Sequence, residues 1–202
     1  MALIEVKNLK KYFPVPSGTL HAVDNVTLSI EKGKTIGIVG ESGCGKSTLG
    51  KTLMRLHDAT SGEVFFNGTE IAGMKMKEFK KTYRAKIQMI FQDPYASLDP
   101  RMSISQLIEE PLKVLGTIRD KQELQKKVDE MMDLVGLAKR LRNTYPHELD
   151  GGRRQRIGIA RALSLNPEFI ICDEPVSALD VSIQAQVLNL LQDLQKEKNL
   201  TY

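Results

Sequence analysis

The first 35 residues alternate apolar and polar positions in short runs, and this alternation predicts a small antiparallel sheet. The runs LIEVKNL and AVDNVTLSI are separated by PVPSG, and EKGK follows the second run. The short apolar run TIGIVG, residues 35–40, predicts a buried strand. SGEVFFNGTEIAG, residues 61–73, predicts a hairpin that turns at Asn67 and Gly68. The N-terminal third is therefore predicted to contain mainly β-structure.

Helical spacing of apolar residues begins after the predicted strand at 35–40. KSTLGKTLMRL, residues 46–56, predicts a helix with three leucines on one face: Leu49, Leu53 and Leu56. Helical spacing then dominates from about residue 94 to residue 165. Its clearest repeat comprises Leu124, Val128, Met131, Met132 and Val135, with Gly136 as the predicted C-terminal cap. The two methionines are interpreted as core residues rather than as ligands.

A strand and a helix are predicted after Pro167. EFIICDE supplies the strand. The apolar face of the following helix comprises Ile183, Val187, Leu190, Leu191 and Leu194. The chain thus begins with β-structure, passes through a strand-loop-helix unit and a helical insertion, and returns to strand and helix.

Composition narrows the class of protein without identifying a function. The 202 residues are 41% hydrophobic, enough for one or two domains, and the net charge of +4 is spread among interspersed acidic and basic residues. The densest basic stretch, residues 74–86, is interpreted as a solvated helical face rather than a polyanion site. The two cysteines give no disulfide framework, which indicates a reducing compartment. Without a secretory signal or an apolar run near the roughly 18 residues that span a bilayer, the chain is expected to be cytoplasmic.

Residues 40–47, GESGCGKS, match the phosphate-loop pattern G-x-x-x-x-G-K-[ST] between a predicted strand and a predicted helix. The glycines let backbone amides turn toward phosphate oxygens. Lys46 is expected to contact the β- and γ-phosphates of ATP, and the Ser47 hydroxyl to ligate Mg²⁺. An ordinary glycine turn that caps a helix is the alternative. The predicted nucleotide-binding residues of this loop are Gly40, Ser42, Gly43, Cys44, Gly45, Lys46, Ser47 and Thr48.

Two acidic residues, Asp173 and Glu174, follow the apolar strand near residue 170. Asp173 is expected to hold Mg²⁺ through water, and Glu174 to orient or polarise the attacking water. Paired acids after a strand also serve as helix N-caps, so alone they leave both interpretations open. Together with the phosphate loop they predict a nucleoside-triphosphate hydrolase.

With these motifs in place, the chain resembles the nucleotide-binding domains of ABC transporters over essentially its whole length. QMIFQDP, residues 88–94, resembles the Q-loop, which implies that Gln92 contacts Mg²⁺ and the attacking water. SALD, residues 177–180, resembles the D-loop, which contains Asp180. Tyr12 lies where the family has an adenine-stacking aromatic residue. A simple strand aromatic is the alternative for Tyr12.

The resemblance implies an α/β fold, with a P-loop NTPase (RecA-like) core, an N-terminal antiparallel β subdomain and an α-helical ABC subdomain. Residues 1–93 are expected to form the β subdomain and the first part of the core. Residues 94–165 are expected to form the helical signature subdomain. Residues 166–202 are expected to complete the core with the Walker B strand and the D-loop.

The sequences of several motifs, including FQDPYASLDPRM and EPVSALDVSIQAQVLNLL, resemble those of the ATPase subunits of oligopeptide and dipeptide importers. Cys44 resembles the second of their paired ATPases; the related nickel and glutathione importers are alternatives. The resemblance implies a head-to-tail dimer with a second ABC ATPase subunit, identical or paralogous, bound to two membrane permease subunits at the inner face of the membrane. A solute-binding protein would act indirectly, coupling would involve residues 92–105, and no nucleic acid is implied.

The chain departs from the family at the signature motif. In place of Leu-Ser-Gly-Gly-Gln it has Leu149, Asp150, Gly151, Gly152 and Arg153. An ionised carboxylate only accepts hydrogen bonds, and two like charges about 4 Å apart repel by roughly 4 kcal/mol at an effective dielectric of about 20. A hydrogen bond is worth only about 1 kcal/mol. Binding of the partner's ATP is therefore expected to be weakened, although Arg153 can offset part of the repulsion.

A second departure concerns histidine. The family places a switch histidine after Asp173, whereas the three histidines, His21, His57 and His147, all precede it. A truncated chain is the expected cause, and a nucleotide-binding fragment with little hydrolysis is therefore an alternative function. A soluble ABC ATPase acting on DNA or ribosomes is disfavoured, because the long coiled-coil insertions or second cassette of such proteins are not found.

Overall fold

The computed structural model describes residues 2–202. Four strands form an antiparallel sheet: β1 (Ala2–Val15), β2 (Gly18–Glu31), β3 (Ser61–Phe66) and β4 (Thr69–Glu70), in the order β2-β1-β3-β4. The predicted antiparallel sheet is confirmed. Its first two strands are longer than the apolar runs, at 14 residues each, because a sheet with one solvated face tolerates polar positions along its strands.

The predicted hairpin at residues 61–73 is confirmed between β3 and β4. Asn67 has φ 48° and Gly68 has φ 77°. Two consecutive positive φ angles are typical of the tight hairpin turn that Asn-Gly favours.

In residues 2–202, seven α-helices complete the fold, together with 3₁₀ turns at residues 139–143 and 146–148. They are α1 (Lys46–Leu53), α2 (Met76–Thr82), α3 (Pro94–Ser97), α4 (Ile104–Val114), α5 (Lys121–Leu134), α6 (Gly151–Leu163) and α7 (Val181–Lys198). None of the helices in residues 2–202 has the length and apolarity needed to cross a membrane.

Helix α1 is shorter than predicted. Leu49 and Leu53 are buried as expected, but Leu56 lies outside the helix and is 46% exposed. The prediction for Leu56 was wrong because Arg55 adopts a left-handed backbone conformation, φ 54°, which ends the helix one turn earlier.

Helix α5 agrees with its predicted apolar repeat. Met131 and Met132 are at most 1% exposed and pack in the core. Gly136 follows the helix with φ 68°, as expected for a glycine cap. The lysines of α2 are exposed, which confirms the solvated face.

Within residues 2–202, two large apolar clusters and a small third one hold these elements together. One large cluster joins the antiparallel sheet to α1 and to strand β5 (Ile87–Ile90). The other large cluster joins α4–α7 to strand β6 (Phe169–Cys172). Strands β5 and β6 pair in parallel between the two large clusters, so their C-terminal ends lie at one edge.

The predicted strand at residues 35–40 was wrong. Ile36 donates to the carbonyl of Tyr202 and Tyr202 donates to that of Lys34, both at 3.0 Å, but within residues 2–202 no backbone hydrogen bond joins residues 37–40 to a strand. Val39 is 96% exposed. A cavity of about 140 Å³ lies between this segment and β6. The apolar pattern was correct for a strand, but a strand also needs a paired neighbour along its length, and within residues 2–202 the pairing stops at Ile36.

Candidate nucleotide-binding site

The phosphate loop takes its shape from two glycines in left-handed conformations, Gly43 at φ 80° and Gly45 at φ 97°. A Cβ atom on Gly45 would lie 2.0 Å from the carbonyl oxygen of Ala22 in β2, so no side chain fits there. The loop leads directly into α1 at Lys46. Free amides at such a helix start favour an anion such as phosphate.

The remaining loop residues lie around this turn. Ser42, Gly43 and Cys44 are exposed at the tip, and Thr48 is in the first turn of α1. The Cys44 sulfur lies over Gly40, where an added Cβ would approach it to 2.7 Å.

The ammonium group of Lys46 is held over the loop by backbone and carboxylate oxygens. Its Nζ donates to the carbonyls of Gly40 and Glu41 at 2.9 Å each. The Oε1 atom of Glu174 lies 3.8 Å away. The side chain is 18% exposed, so this cation is partly shielded from water.

The two predicted acids meet the phosphate loop and the Q-loop. The hydroxyl of Ser47 donates to Oδ1 of Asp173 at 2.7 Å. The Nε2 atom of Gln92 donates to Oε2 of Glu174 at 2.7 Å. The amide of Asp173 donates to the carbonyl of Ile90, which fixes the end of β6 against the end of β5. The parallel pairing therefore brings together residues that are about 80 positions apart in the sequence.

Glu174 itself has a strained backbone, with φ 45°. The amide and hydroxyl of Ser177 both donate to its carbonyl, at 3.2 and 3.1 Å. A left-handed conformation at a residue other than glycine costs on the order of 1–3 kcal/mol and is concentrated at functional sites.

The oxygen atoms around Ser47 suit Mg²⁺. No group of three His, Cys, Asp or Glu side chains in the described part of the chain could hold a metal ion by itself. Mg²⁺ prefers oxygen ligands and is commonly held by one or two carboxylates together with substrate phosphates and water. The hydroxyl of Ser47 and the carboxylate of Asp173 lie together and are oxygen donors of this kind.

Tyr12 lies in β1 and stacks on His21 of β2, with ring centroids 3.9 Å apart and an interplanar angle of 12°. Its hydroxyl donates to Oδ1 of Asp24 at 2.6 Å. This hydrogen bond lowers the pKa of the Asp24 carboxyl and raises the pKa of the Tyr12 phenol. Sequence reasoning missed His21 and Asp24, although the short β1–β2 turn would have placed His21 opposite Tyr12.

The signature residues form a separate arrangement at the start of α6. Asp150 is the N-cap, and its Oδ1 accepts from the amide of Arg153 at 2.8 Å. Its Oδ2 lies 3.3 Å from Nη1 of Arg153. None of the hydrogen bonds and ion pairs found in residues 2–202 joins residues 150–153 to the phosphate loop.

The signature glycines permit close packing against the D-loop segment and α7. A Cβ on Gly152 would lie 2.6 Å from Cγ2 of Ile183, and one on Gly151 would lie 3.1 Å from Cδ2 of Leu179. Asp180 is the exposed N-cap residue of α7. The signature and the D-loop are therefore neighbours.

One buried residue near the site, Arg154, was missed by sequence reasoning. It is 4% exposed, and its guanidinium lies 3.6 Å from the ring centre of Tyr95 in α3. Its Nε donates to the carbonyl of Pro146, and burial lowers its pKa. Arg154 thereby links α6 to the segment that follows Gln92. Its place in a basic run gave no sign of burial.

Comparison with known proteins supports the nucleotide-binding interpretation. The family described as ABC transporter matches residues 23–177. The chain is 56% identical over 200 residues to the oligopeptide transport ATP-binding protein OppF of Bacillus subtilis, a match that covers 99% of this chain and 66% of that protein. The OppF protein of Escherichia coli is 56% identical over 197 residues, and the match covers 98% of this chain and 59% of that protein. The resemblance to importer ATPase subunits is thus confirmed, and the chain spans about three fifths to two thirds of these relatives.

Solved structures agree with this result. A dimeric, post-hydrolysis structure of the ATP-binding cassette MJ0796 bound to ADP and Pi superposes with a TM-score of 0.86 at 32% identity, covering 98% of this chain and 85% of that one. The protein cbiO1 from Clostridium perfringens, part of an ABC transporter complex, gives 0.83 at 28% identity, covering 99% and 76%. The predicted α/β P-loop NTPase fold with its antiparallel β subdomain and helical subdomain is confirmed.

Proposed function

Because the chain belongs to the ABC transporter family, we propose that it is the ATP-binding and ATP-hydrolysing part of an importer subunit that drives peptide uptake. The observation that carries this proposal is the bonding of the phosphate loop to two carboxylates at the end of β6. Ser47 bonds to Asp173, and Lys46 lies beside Glu174. The names of the oligopeptide transport relatives support the peptide as solute.

Each group of the site has a distinct role in this proposal. The loop amides and Lys46 bind the phosphates, since charge-assisted hydrogen bonds are the strong ones. Ser47, Asp173 and Gln92 would hold Mg²⁺, which when bound would offset the negative charge of the phosphates. Glu174 accepts a proton from the attacking water, and Gln92 orients that water through its bond to Glu174. Tyr12 stacks on the adenine.

The signature requires a second chain. Residues 150–153 and Asp180 are proposed to face the ATP held by the phosphate loop of a partner ATPase in a head-to-tail dimer. The dimeric form of the MJ0796 cassette supports this arrangement. Two permease subunits are proposed to dock at residues 92–105, where Tyr95 is 64% exposed. The chain would then lie on the cytoplasmic face of the membrane, and a solute-binding protein would act through the permeases.

The proposed division of the chain follows the same scheme. Residues 1–93 contribute the β subdomain and the first part of the core, residues 94–165 the helical subdomain, and residues 166–202 the second part of the core. Helices α4–α6 share one apolar cluster with α7 and β6, which joins the helical subdomain to the second part of the core.

A second candidate function is nucleotide binding with little hydrolysis. The carboxylate of Asp150 favours it, because this group is 59% exposed at the N-terminus of α6 and would oppose a partner's γ-phosphate. Both candidate functions predict that the chain binds ATP, but only the first predicts substantial ATP turnover.

The experiment is reconstitution of the chain with its partner ATPase and permeases in vesicles loaded with ATP and Mg²⁺, with the solute-binding protein supplied outside. Uptake of a labelled oligopeptide, with ATP turnover that rises when peptide is supplied, is the expected result. ATP binding without turnover would support the second candidate. Stimulation by nickel or glutathione in place of peptide would contradict the proposed solute.

A further inference from the structure

The ring of Tyr12 is held from behind by His21. The two residues are direct partners in the β1–β2 register, and their rings lie nearly parallel at a centroid distance of 3.9 Å. Among the aromatic and cation-π contacts of residues 2–202, His21 is the only group that covers a face of this ring. One face of Tyr12 therefore has an aromatic partner within the protein.

Asp24 fixes the edge of the same ring. Its Oδ1 accepts the Tyr12 hydroxyl at 2.6 Å, and its Oδ2 lies 3.8 Å from Nδ1 of His21. The Nζ of Lys10 lies 3.6 Å from Oδ1. The plane and the rotation of the Tyr12 ring are thus both restricted, the first by stacking and the second by the hydrogen bond.

Burial does not account for this arrangement. The side chain of His21 is 54% exposed and that of Asp24 is 50% exposed, so neither is needed to fill a core. The pair is nevertheless connected to the phosphate loop, because the carbonyl of Ala22, the residue after His21, lies against Gly45. A ring fixed at this point is set at a defined distance from the phosphates.

We propose that His21 is a positioning residue of the nucleobase site, which stacks behind Tyr12 and presents its other face to the adenine of the bound nucleotide. This inference rests on the proposed function. A ring that is already fixed loses less conformational freedom when a base stacks on it, so affinity for the base increases. Stacking of His21 on Tyr12 stabilises this fixed position of the ring by an amount typical of aromatic pairs.

The test measures binding of ADP and of inorganic pyrophosphate, each with Mg²⁺, to the 202-residue chain by calorimetry. His21→Ala and His21→Leu are expected to bind ADP about three- to tenfold more weakly, the range expected for loss of an aromatic pair. His21→Phe keeps a planar ring and is expected to bind ADP within about twofold of the unmodified chain. Pyrophosphate carries no base, so its affinity is expected to stay constant in all three variants.

His57→Ala is the matched control. His57 contacts the edge of Phe13, with ring centroids 5.5 Å apart and an interplanar angle of 87°. Phe13 is the neighbour of Tyr12 in β1 and points to the opposite face of the sheet. Loss of this second histidine–aromatic pair is expected to leave ADP affinity unchanged.

Two results would overturn the inference alone: unchanged ADP affinity in His21→Ala and His21→Leu, or an equal loss for ADP and pyrophosphate. Failure of His21→Phe to restore ADP affinity would also contradict it. If the unmodified chain binds neither ADP nor pyrophosphate, the proposed function fails, and this inference fails with it.

Discussion

The phosphate loop and the signature loop both begin a helix, yet their polar groups are bonded in opposite ways. Around the phosphate loop, Lys46 and Ser47 reach carboxylates that come from a distant strand. At the signature, Asp150 and Arg153 bond only to each other, within one helical turn. The contacts described for the first region join distant parts of one chain. The second has its two charges paired within one helical turn.

The largest expected effect is on hydrolysis in the first region. Glu174→Gln keeps the size of the side chain but removes the proposed base, and a positioned base contributes on the order of 10²- to 10⁴-fold to a rate. ATP turnover by the assembled transporter should fall by this factor, while ATP affinity measured by calorimetry should stay within about threefold. Unchanged turnover would show that Glu174 is not the base.

The second largest effect is expected on ATP affinity, when Lys46 is replaced. Lys46→Ala removes a cation beside the phosphates, and hydrogen bonds to charged groups are worth about 1.5–3 kcal/mol. ATP affinity is therefore expected to fall by about 10- to 100-fold. Lys51→Ala, at the other end of α1, is the matched control and should bind ATP normally. Equal losses in both variants would contradict a direct phosphate contact.

Substitutions of Asp150 and of Arg153 are expected to change ATP turnover in opposite directions. Asp150→Ser, alone or with Arg153→Gln, removes the carboxylate, and turnover in the assembled dimer should rise about three- to tenfold, a change of roughly 0.6–1.4 kcal/mol. Arg153→Gln alone leaves the carboxylate without its counter-ion, so turnover should fall.

The thermal midpoint serves as the control for these variants, because serine caps a helix about as well as aspartate. Equal turnover in all of them would mean that the signature charges do not face a phosphate.

The sequence predicted features that depend on neighbouring residues better than features that depend on contacts between distant segments. The phosphate loop and the acids at 173–174 are contiguous motifs, so their residues could be picked out from the sequence alone. The failure at residues 35–40 has the opposite origin, because an apolar run cannot specify which neighbour pairs with it. His21, Asp24 and the buried Arg154 were missed for a related reason: strand register and helix packing determine their contacts, and their residue types do not.

The smallest expected effect is on the chemical labelling of the two cysteines. Cys44 lies in the phosphate loop, and Cys172 lies at the end of β6. Burial raises the pKa of the Cys172 thiol to about 12, so almost no thiolate forms at neutral pH. Cys44 is exposed in the loop. Iodoacetamide should label Cys44 alone, as read by peptide mass spectrometry, and ATP should slow that labelling. Labelling of Cys172 in the folded chain would contradict the packing around β6.

The unpaired segment at residues 37–40 has a practical consequence. Within residues 2–202 no backbone hydrogen bond joins it to a strand, and its side chains Val39 and Ile38 are 96% and 46% exposed. An exposed apolar edge of this kind is a template for pairing with another molecule. The isolated chain is therefore expected to self-associate as its concentration rises, and nucleotide affinities are best measured in dilute solution.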